Sequence, residues 1–383
     1  MHVTHLQLVD FRNYERVDLE LQAGPVLFIG RNGQGKTNLV EAIAYAGTAA
    51  SHRVAGDQAL IRAGTESAVV RVRVQHDDRA IVIELQLNRG APNRAQINGA
   101  AVRLRELPRY LRTVLFAPED LALVRGDPGG RRDFLDAVVV QRSPRMASVI
   151  ADYDRVVRQR NSLLKSARAS RLRADQLTTL DVWDERLVDL GTQVIVARAD
   201  TVEQLRAPLG TAYSGVAGDE HRTRIGLRLS IHDDDDETAV LDSASIDRAT
   251  LAETFREAVA ARRRAELERA VTLVGPHRDD LVLELNGLPA RGYASHGESW
   301  SYALALKLAT AEVLRADGVA GDPVVILDDV FAELDHGRRE RLADAVSGYE
   351  QVLITAAVGA DVPERLSAAR IGISAGQVVE VDA

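Results

Sequence analysis

The segment PVLFIGRNGQGKTNLVEAIAYAG, Pro25 to Gly47, constrains the fold more than any other part of this 383-residue chain. Val26 to Ile29 is a short, continuous apolar run, the pattern of a strand buried on both faces. Gly30 to Thr37 fits G-x-x-x-x-G-K-[ST], where glycines let backbone N–H groups turn into a cavity and hold phosphate oxygens. The helical pattern that follows aims its positive end at the same anion. In such a loop Lys36 reaches the β and γ phosphates of a nucleotide, and Thr37 offers its hydroxyl to Mg²⁺. Lysine is rare here: only Lys36, Lys165 and Lys307 occur among 48 basic side chains. A slim ammonium suits a phosphate cradle better than a guanidinium fork.

A second segment near the other end supplies acid. In VVILDDVFAELD, Val324 to Asp335, four apolar residues bury a strand whose end projects Asp328 and Asp329. Beside a phosphate loop, Asp328 is expected to hold Mg²⁺ and Asp329 to orient or deprotonate an attacking water. Shortly before it, ASHGESWSYALALKLATAEVL opens a helix at Ser295. Ser-x-x-Glu there reads as a capping box worth about 1 kcal/mol. That reading leaves open whether the same serine also serves a nucleotide.

Between these segments the pattern changes. AVVRVRVQHDDRAIVIELQLN alternates on both sides of Asp77 and Asp78, AQINGAAV turns at Asn98-Gly99, and DLVLELNGLPA turns at Asn286-Gly287, so three hairpins are expected. From Ser143 to Ala270 the pattern is mostly helical and arginine-rich. Helices and apolar strands then alternate to the end, which is α/β. The expected organisation is one core from residues 1–142 and 271–383, with a helical lobe, 143–270, inserted between. The acidic stretch His232 to Asp247 reads as a solvated loop rather than a metal site. No sustained heptad repeat predicts a long coiled-coil arm.

Composition narrows the function. No apolar run approaches the roughly 20 residues of a membrane span, and no signal-peptide pattern opens the chain. The absence of cysteine removes disulfides and thiolate metal sites and fits a cytoplasmic protein. The net charge of −8 excludes a uniformly basic nucleic-acid binder, so any such role needs a local patch. The stretch Arg155 to Arg173 has seven basic residues and no acidic one, and reads either as a solvated helix face or as that patch. No element for reading base edges is evident, so recognition of a specific DNA sequence is not expected.

Together the loop ending in Thr-Asn, the helix-opening Ser-x-Gly and the AELD after the acidic strand resemble the ATP-binding-cassette fold. Within it, DFRNY, LFAPEDLALVRGDPGGRRDFLD, GPHRDDL, ALALKLA and LDDVFAELD resemble the RecF family over nearly the whole length. The resemblance implies an α/β ATPase head with a mixed sheet, an antiparallel β subdomain and an inserted helical lobe. It implies that ATP and Mg²⁺ are held by Gly30, Arg31, Asn32, Gly33, Gln34, Gly35, Lys36, Thr37, Asn38 and Asp328, with Arg12 near the phosphates or simply a surface charge. Ser295 and Gly297 would close over ATP bound by a second copy, although the usual Ser-Gly-Gly-Gln is here Ser-His-Gly-Glu. Lys36, Asp329, Ser295 and Glu119 are the implied catalytic set, with Glu119 where related ATPases carry a lobe-joining glutamine and Thr355 where many carry a switch histidine.

The implied activity is ATP-driven dimerisation on DNA at single-strand/double-strand junctions, released by weak, DNA-dependent hydrolysis. RecR, RecO and RecA are the implied partners. The alternative is the nucleotide-binding subunit of a membrane transporter, which LDDVF and GPHRDDL disfavour. Three smaller readings stay open. Tyr14 packs or touches nucleotide, Arg131 and Arg132 brace a helix or meet phosphate, and His277 and Arg278 line a solvated loop or contact a ligand.

Overall fold

The computed structural model describes residues 1–170, 178–218, 220–232, 247–318, 321–367 and 369–379. Most of the acidic stretch, residues 233–246, and Arg171 and Arg173 of the basic stretch lie outside the described residues. The chain forms two compact units: Met1–Val124 with Pro208–Arg222 and Ser295–Ala383, and Arg125–Ala207 with Thr223–Ala294.

In chain order the elements begin with β1 (His2–Phe11), β2 (Tyr14–Glu20), β3 (Gly24–Ile29), α1 (Lys36–Thr48), β4 (Ser67–His76), β5 (Arg79–Asn88), β6 (Arg94–Ile97), β7 (Ala100–Val102), β8 (Thr113–Phe116) and α2 (Leu121–Arg125). Next come α3 (Pro128–Arg142), α4 (Met146–Ala169), α5 (Thr178–Ala217), β9 (Thr223–Arg228), α6 (Arg248–Arg269), β10 (Asp280–Leu285), β11 (Leu288–Pro289) and the one-turn α7 (Ala290–Tyr293). The chain then runs through α8 (His296–Ala316), β12 (Val324–Asp328), α9 (His336–Val346), β13 (Gln351–Ala356), β14 (Ala369–Ser374) and β15 (Gln377–Val379).

The first unit holds two sheets. One is antiparallel, in the order β2-β1-β4-β5-β6-β7. The other is mixed, in the order β15-β14-β3-β13-β12-β8, parallel except for the β14–β15 pair. The expected α/β head with its antiparallel subdomain is therefore present. Helix α1 packs against strands of both sheets. Its Leu39, Val40, Ile43 and Tyr45 share one core with Leu8 and Val72 of the antiparallel sheet and Phe28 and Ile326 of the mixed one. Each such large side chain taken from water contributes about 1.5–3 kcal/mol. All three hairpins turn where expected, the first between His76 of β4 and Arg79 of β5. Asn98 and Gly99 have φ of 50° and 82°, and Asn286 and Gly287 have 55° and 79°, the left-handed pair that an Asn-Gly hairpin turn requires.

The second unit contains α3, α4, α6, the part of α5 up to Ala207, and a small sheet, β11-β10-β9. Its limits differ from the expected 143–270 insert. Helix α3 belongs to it, as does the β10 hairpin. The reason is pairing: all six residues of β10, Asp280 to Leu285, pair antiparallel with β9, and α3 packs on β10. Strand β9 was not anticipated in a stretch dominated by helical pattern.

Two ion networks are buried in this unit. Arg160, fully buried, donates to Asp184, Glu266 and Thr272 at 2.6–3.0 Å. Arg198 forks onto Asp136 at 2.7 and 2.8 Å and donates to the Pro276 carbonyl. Arg160 thus drops out of the candidate DNA patch, whereas Arg155, Arg158, Lys165 and Arg168 on the same helix are exposed.

Candidate functional site

Strand β3 delivers the chain into the glycine loop. Gly30 tolerates no side chain, because a Cβ there would lie 2.1 Å from the Ile373 carbonyl oxygen of β14. Gly35 caps α1 at φ 116°, a left-handed conformation that other residues rarely adopt. Arg31, Asn32 and Gly33 are exposed at the tip. The buried Lys36 returns its ammonium over the loop, donating to the carbonyls of Gly30 at 2.8 Å and Arg31 at 3.3 Å.

The loop is braced by residues that motif reading leaves out. The Asn13 amide donates to the Gln34 carbonyl at 3.1 Å and accepts from Asn38 at 2.7 Å. From the β14–β15 turn, the Ala375 and Gly376 amides donate to the Gln34 side chain and carbonyl at 2.7 and 3.0 Å. Buried Tyr14 donates to the Gly35 carbonyl at 3.1 Å, so it braces the loop from beneath.

The two acidic residues differ in setting. Asp328 is buried, and its Oδ1 accepts from Thr37 at 2.9 Å and Thr355 at 2.6 Å. Burial pushes the Asp328 carboxyl up to about 6 against those two hydrogen bonds, and the charges of Asp329 and Glu119 push the same way. Asp329 is half-buried at φ 51°, and its amide donates to Thr355 Oγ1 at 2.9 Å. Thr355 therefore ties the two aspartates together. Glu119 is exposed on a single helical turn, Pro118–Asp120, and its neighbour Asp120 takes Lys307 at 2.9 Å.

Arg12 is committed elsewhere. Its Nε and Nη2 fork onto Glu41 at 2.9 and 2.6 Å, and Nη1 donates to the Ala59 carbonyl at 3.1 Å. Ser51 also donates to Glu41 at 2.6 Å, and Arg53 pairs with it at 3.5 Å. Burial pushes the Glu41 carboxyl up, yet the bonds from Arg12 and Ser51 and the two guanidinium charges outweigh it, so its pKa falls. Arg12, Arg53 and Arg89 line a cavity of about 600 Å³ with Asn13 and Asn38.

At the start of α8 the capping box is formed. The Ser295 amide donates to the Glu298 carboxylate at 2.7 Å, and the Glu298 amide to Ser295 Oγ at 3.3 Å. These hydrogen bonds hold the Glu298 carboxyl below its usual range, with His221 and Arg338 adding to the effect. Ser295 Oγ acts here as acceptor, which leaves its O–H available as a donor. Gly297 makes room for Arg338, whose Nη1 would lie 3.0 Å from a Cβ on that residue.

Other candidates have internal roles in the second unit. Arg131 forks onto Asp280 at 2.7 and 2.9 Å, and Arg132 donates to the Asp279 carbonyl at 2.8 Å. His277 is shared between the Tyr153 hydroxyl at 2.7 Å and the Thr272 carbonyl at 3.2 Å, and burial lowers its pKa to about 4. Arg278 bonds the same carbonyl.

One site residue has no motif to announce it. His52, between α1 and the turn Asp57–Leu60, places Nε2 4.0 Å from Asp328 Oδ2. Burial lowers its pKa, against the pull of Glu41, Glu119 and Asp120.

Residues 2–371 match the family described as the RecF/RecN/SMC N terminal domain. The DNA replication and repair protein RecF of Leifsonia xyli subsp. xyli is 61% identical, covering 99% of this chain and 100% of its own. That of Clavibacter sepedonicus is 59% identical over 99% and 95%. Among solved structures, the recombination mediator protein RecF-ATP in the RecFOR pathway superposes with a TM-score of 0.86 at 26% identity, covering 99% of both chains. An Smc head bound to the C-winged helix domain of ScpA shares the fold at a TM-score of 0.55 and 16% identity.

Proposed function

Because the chain belongs to the RecF family of DNA replication and repair proteins, we propose that it is an ATPase whose ATP-bound dimer clamps DNA and whose hydrolysis releases it. The observation that carries this reading is the 2.9 Å bond from Thr37 to Asp328, which joins the phosphate loop to the acidic strand. A relative solved with ATP supports the choice of nucleotide. The transporter-subunit alternative is set aside, since relatives matching nearly the full length are DNA replication and repair proteins. Among the described residues no helix is long and apolar enough to cross a membrane.

The placement of the residues supports the following roles. Loop amides and the Lys36 ammonium bind the phosphates. The Thr37 hydroxyl and Asp328 carboxylate are hard oxygen donors already in contact, a set that suits Mg²⁺. That ion, when bound, neutralises charge on the phosphate oxygens. Asp329, half-buried and held by Thr355 through its own amide, orients the attacking water. Ser295 presents its hydroxyl, and α8 its N-terminus, to the γ-phosphate on a second copy. Glu119, whose charge helps to raise the Asp328 carboxyl, acts on the same site electrostatically.

The exposed arginines of α4 give a sequence-tolerant contact with DNA phosphates. The RecFOR pathway of the solved relatives supports RecO and RecR as partners, with RecA as the protein they help to load and the cytoplasm as the compartment of this proposed work. The test is Lys36→Met with DNA present. ATP-dependent self-association and hydrolysis should vanish while the fold persists, since a charge-assisted phosphate contact is lost. Turnover equal to wild type in folded Lys36→Met protein would remove the phosphate-loop assignment. Hydrolysis indifferent to DNA would remove the clamp.

A further inference from the structure

His52 stands out among the described residues because both ring nitrogens are buried and neither has a hydrogen-bond partner. Its side chain is 16% exposed. Buried polar atoms nearly always find partners, and one that does not asks for an explanation. The neighbourhood offers one. Asp328 is loaded unevenly, since Oδ1 takes both threonine hydroxyls while Oδ2 faces His52 Nε2 at 4.0 Å. An approach of about 1 Å would make that a hydrogen bond.

We infer that His52 is a positioning residue for Asp328, donating Nε2–H to Oδ2 once a cation engages the carboxylate, and so fixing which oxygen the cation meets. The inference rests on reading the loop as an ATP·Mg²⁺ site. Carboxylates that hold metals are themselves held by outer hydrogen bonds, and losing one typically costs about 10–100-fold in metal affinity. With neither ring nitrogen engaged by another protein group, His52 is free to take that bond. Position 52 is also held against α1, the helix that opens at Lys36, because its chain neighbours Ser51 and Arg53 both bind Glu41 of that helix.

The experiment uses the full-length chain, a fluorescent ATP analogue and titration with MgCl₂ from an EDTA-treated start. His52→Leu removes the donor, and His52→Gln returns an amide donor at about the reach of Nε2. His52→Leu should melt no lower than wild type in EDTA without nucleotide, because it removes unpartnered buried nitrogens. Its Mg²⁺ midpoint for analogue binding should rise at least about tenfold, while His52→Gln stays within about threefold of wild type. His52→Phe serves as a second apolar variant. A wild-type midpoint in folded His52→Leu, or equal shifts in the leucine and glutamine variants, overturns the inference and leaves the ATP reading standing. Early melting of both apolar variants also overturns it, since the ring would then be a packing element. Wild-type protein whose analogue binding ignores Mg²⁺ overturns both.

Discussion

Thr37 and Asp328 stand 291 residues apart in sequence and are joined by a 2.9 Å hydrogen bond from hydroxyl to carboxylate. The carboxylate that accepts it is one that burial opposes. Asp328 is raised from its ordinary 3.8 to about 6 in the folded protein. The folded state therefore binds the proton more tightly than the unfolded chain. Its contribution to stability is complete below about pH 4 and is lost as pH rises through 6. Held ionised at pH 8 the group costs about 3 kcal/mol. In EDTA, Asp328→Asn should melt several degrees above wild type at pH 8, and that gap should close toward pH 4. Asp279, also raised to about 6 by burial, is common to both proteins and cancels in the comparison. A gap independent of pH would remove the claim.

Ser295 and Asp329 have different tasks if the site is shared between two copies. Ser295→Arg should bind ATP yet fail to self-associate, which sedimentation reads directly. Asp329→Asn should bind and self-associate, then stall, with hydrolysis slower by about 10²–10⁴-fold. Mixing the two puts both lesions in one composite site and none in the other, so phosphate release should partly return. Wild-type association by Ser295→Arg would reduce the serine to the helix cap it visibly is.

Arg160 and its neighbours on α4 separate stability from binding. Arg160→Met strands Glu266, which is 0% exposed, without its cation, and should cost about 3–5 kcal/mol in a urea melt. Reversing exposed Arg155, Arg158 and Arg168 to Glu should cost far less, about 1 kcal/mol for the exposed Arg155–Asp152 pair and its like-charge replacement, and should flatten the salt dependence of DNA binding. An unaltered slope would move the DNA to another face, where Arg62, Arg71 and Arg73 are the candidates.

Gly30→Ala tests how tightly β14 crowds the loop. With the Ile373 carbonyl oxygen 2.1 Å from the new Cβ, backbone must move, at a cost of about 1–3 kcal/mol. Nucleotide affinity should fall with it. A variant as stable as wild type would mean that β14 gives way without penalty.

What was legible in the chain was local. The phosphate loop, the Asn-Gly hairpins and the capping box at Ser295 each depend on residues a few positions apart, and each appears where the pattern put it. What was not legible depends on distant partners. Strand β9 became a strand because β10 was there to pair with it, and that moved the boundary of the inserted unit. Arg160 looked like surface charge until Asp184 and Glu266 came to meet it over 24 and 106 residues. His277 and Arg278 stood in a motif that invited a ligand, and both close on the Thr272 carbonyl instead. Arg12 could not be assigned before its buried acid, Glu41, was known. Nothing in Ser51-His52-Arg53 marked the histidine, since only the fold brings it to Asp328.

Strand β3 pairs on one edge with β13 and on the other with β14. Both neighbours lie after residue 350, while β3 itself ends at Ile29. During synthesis the apolar strand that carries the phosphate loop therefore waits, with both edges unsatisfied, until almost the entire chain has left the ribosome. Parallel pairings this distant are slow to form, and strands waiting for them are exposed to wrong partners. Translation that stops short of β13 would leave a product containing the whole loop sequence and neither parallel partner for the strand that carries it. Protection of the nascent chain therefore bears on how much working protein a cell obtains.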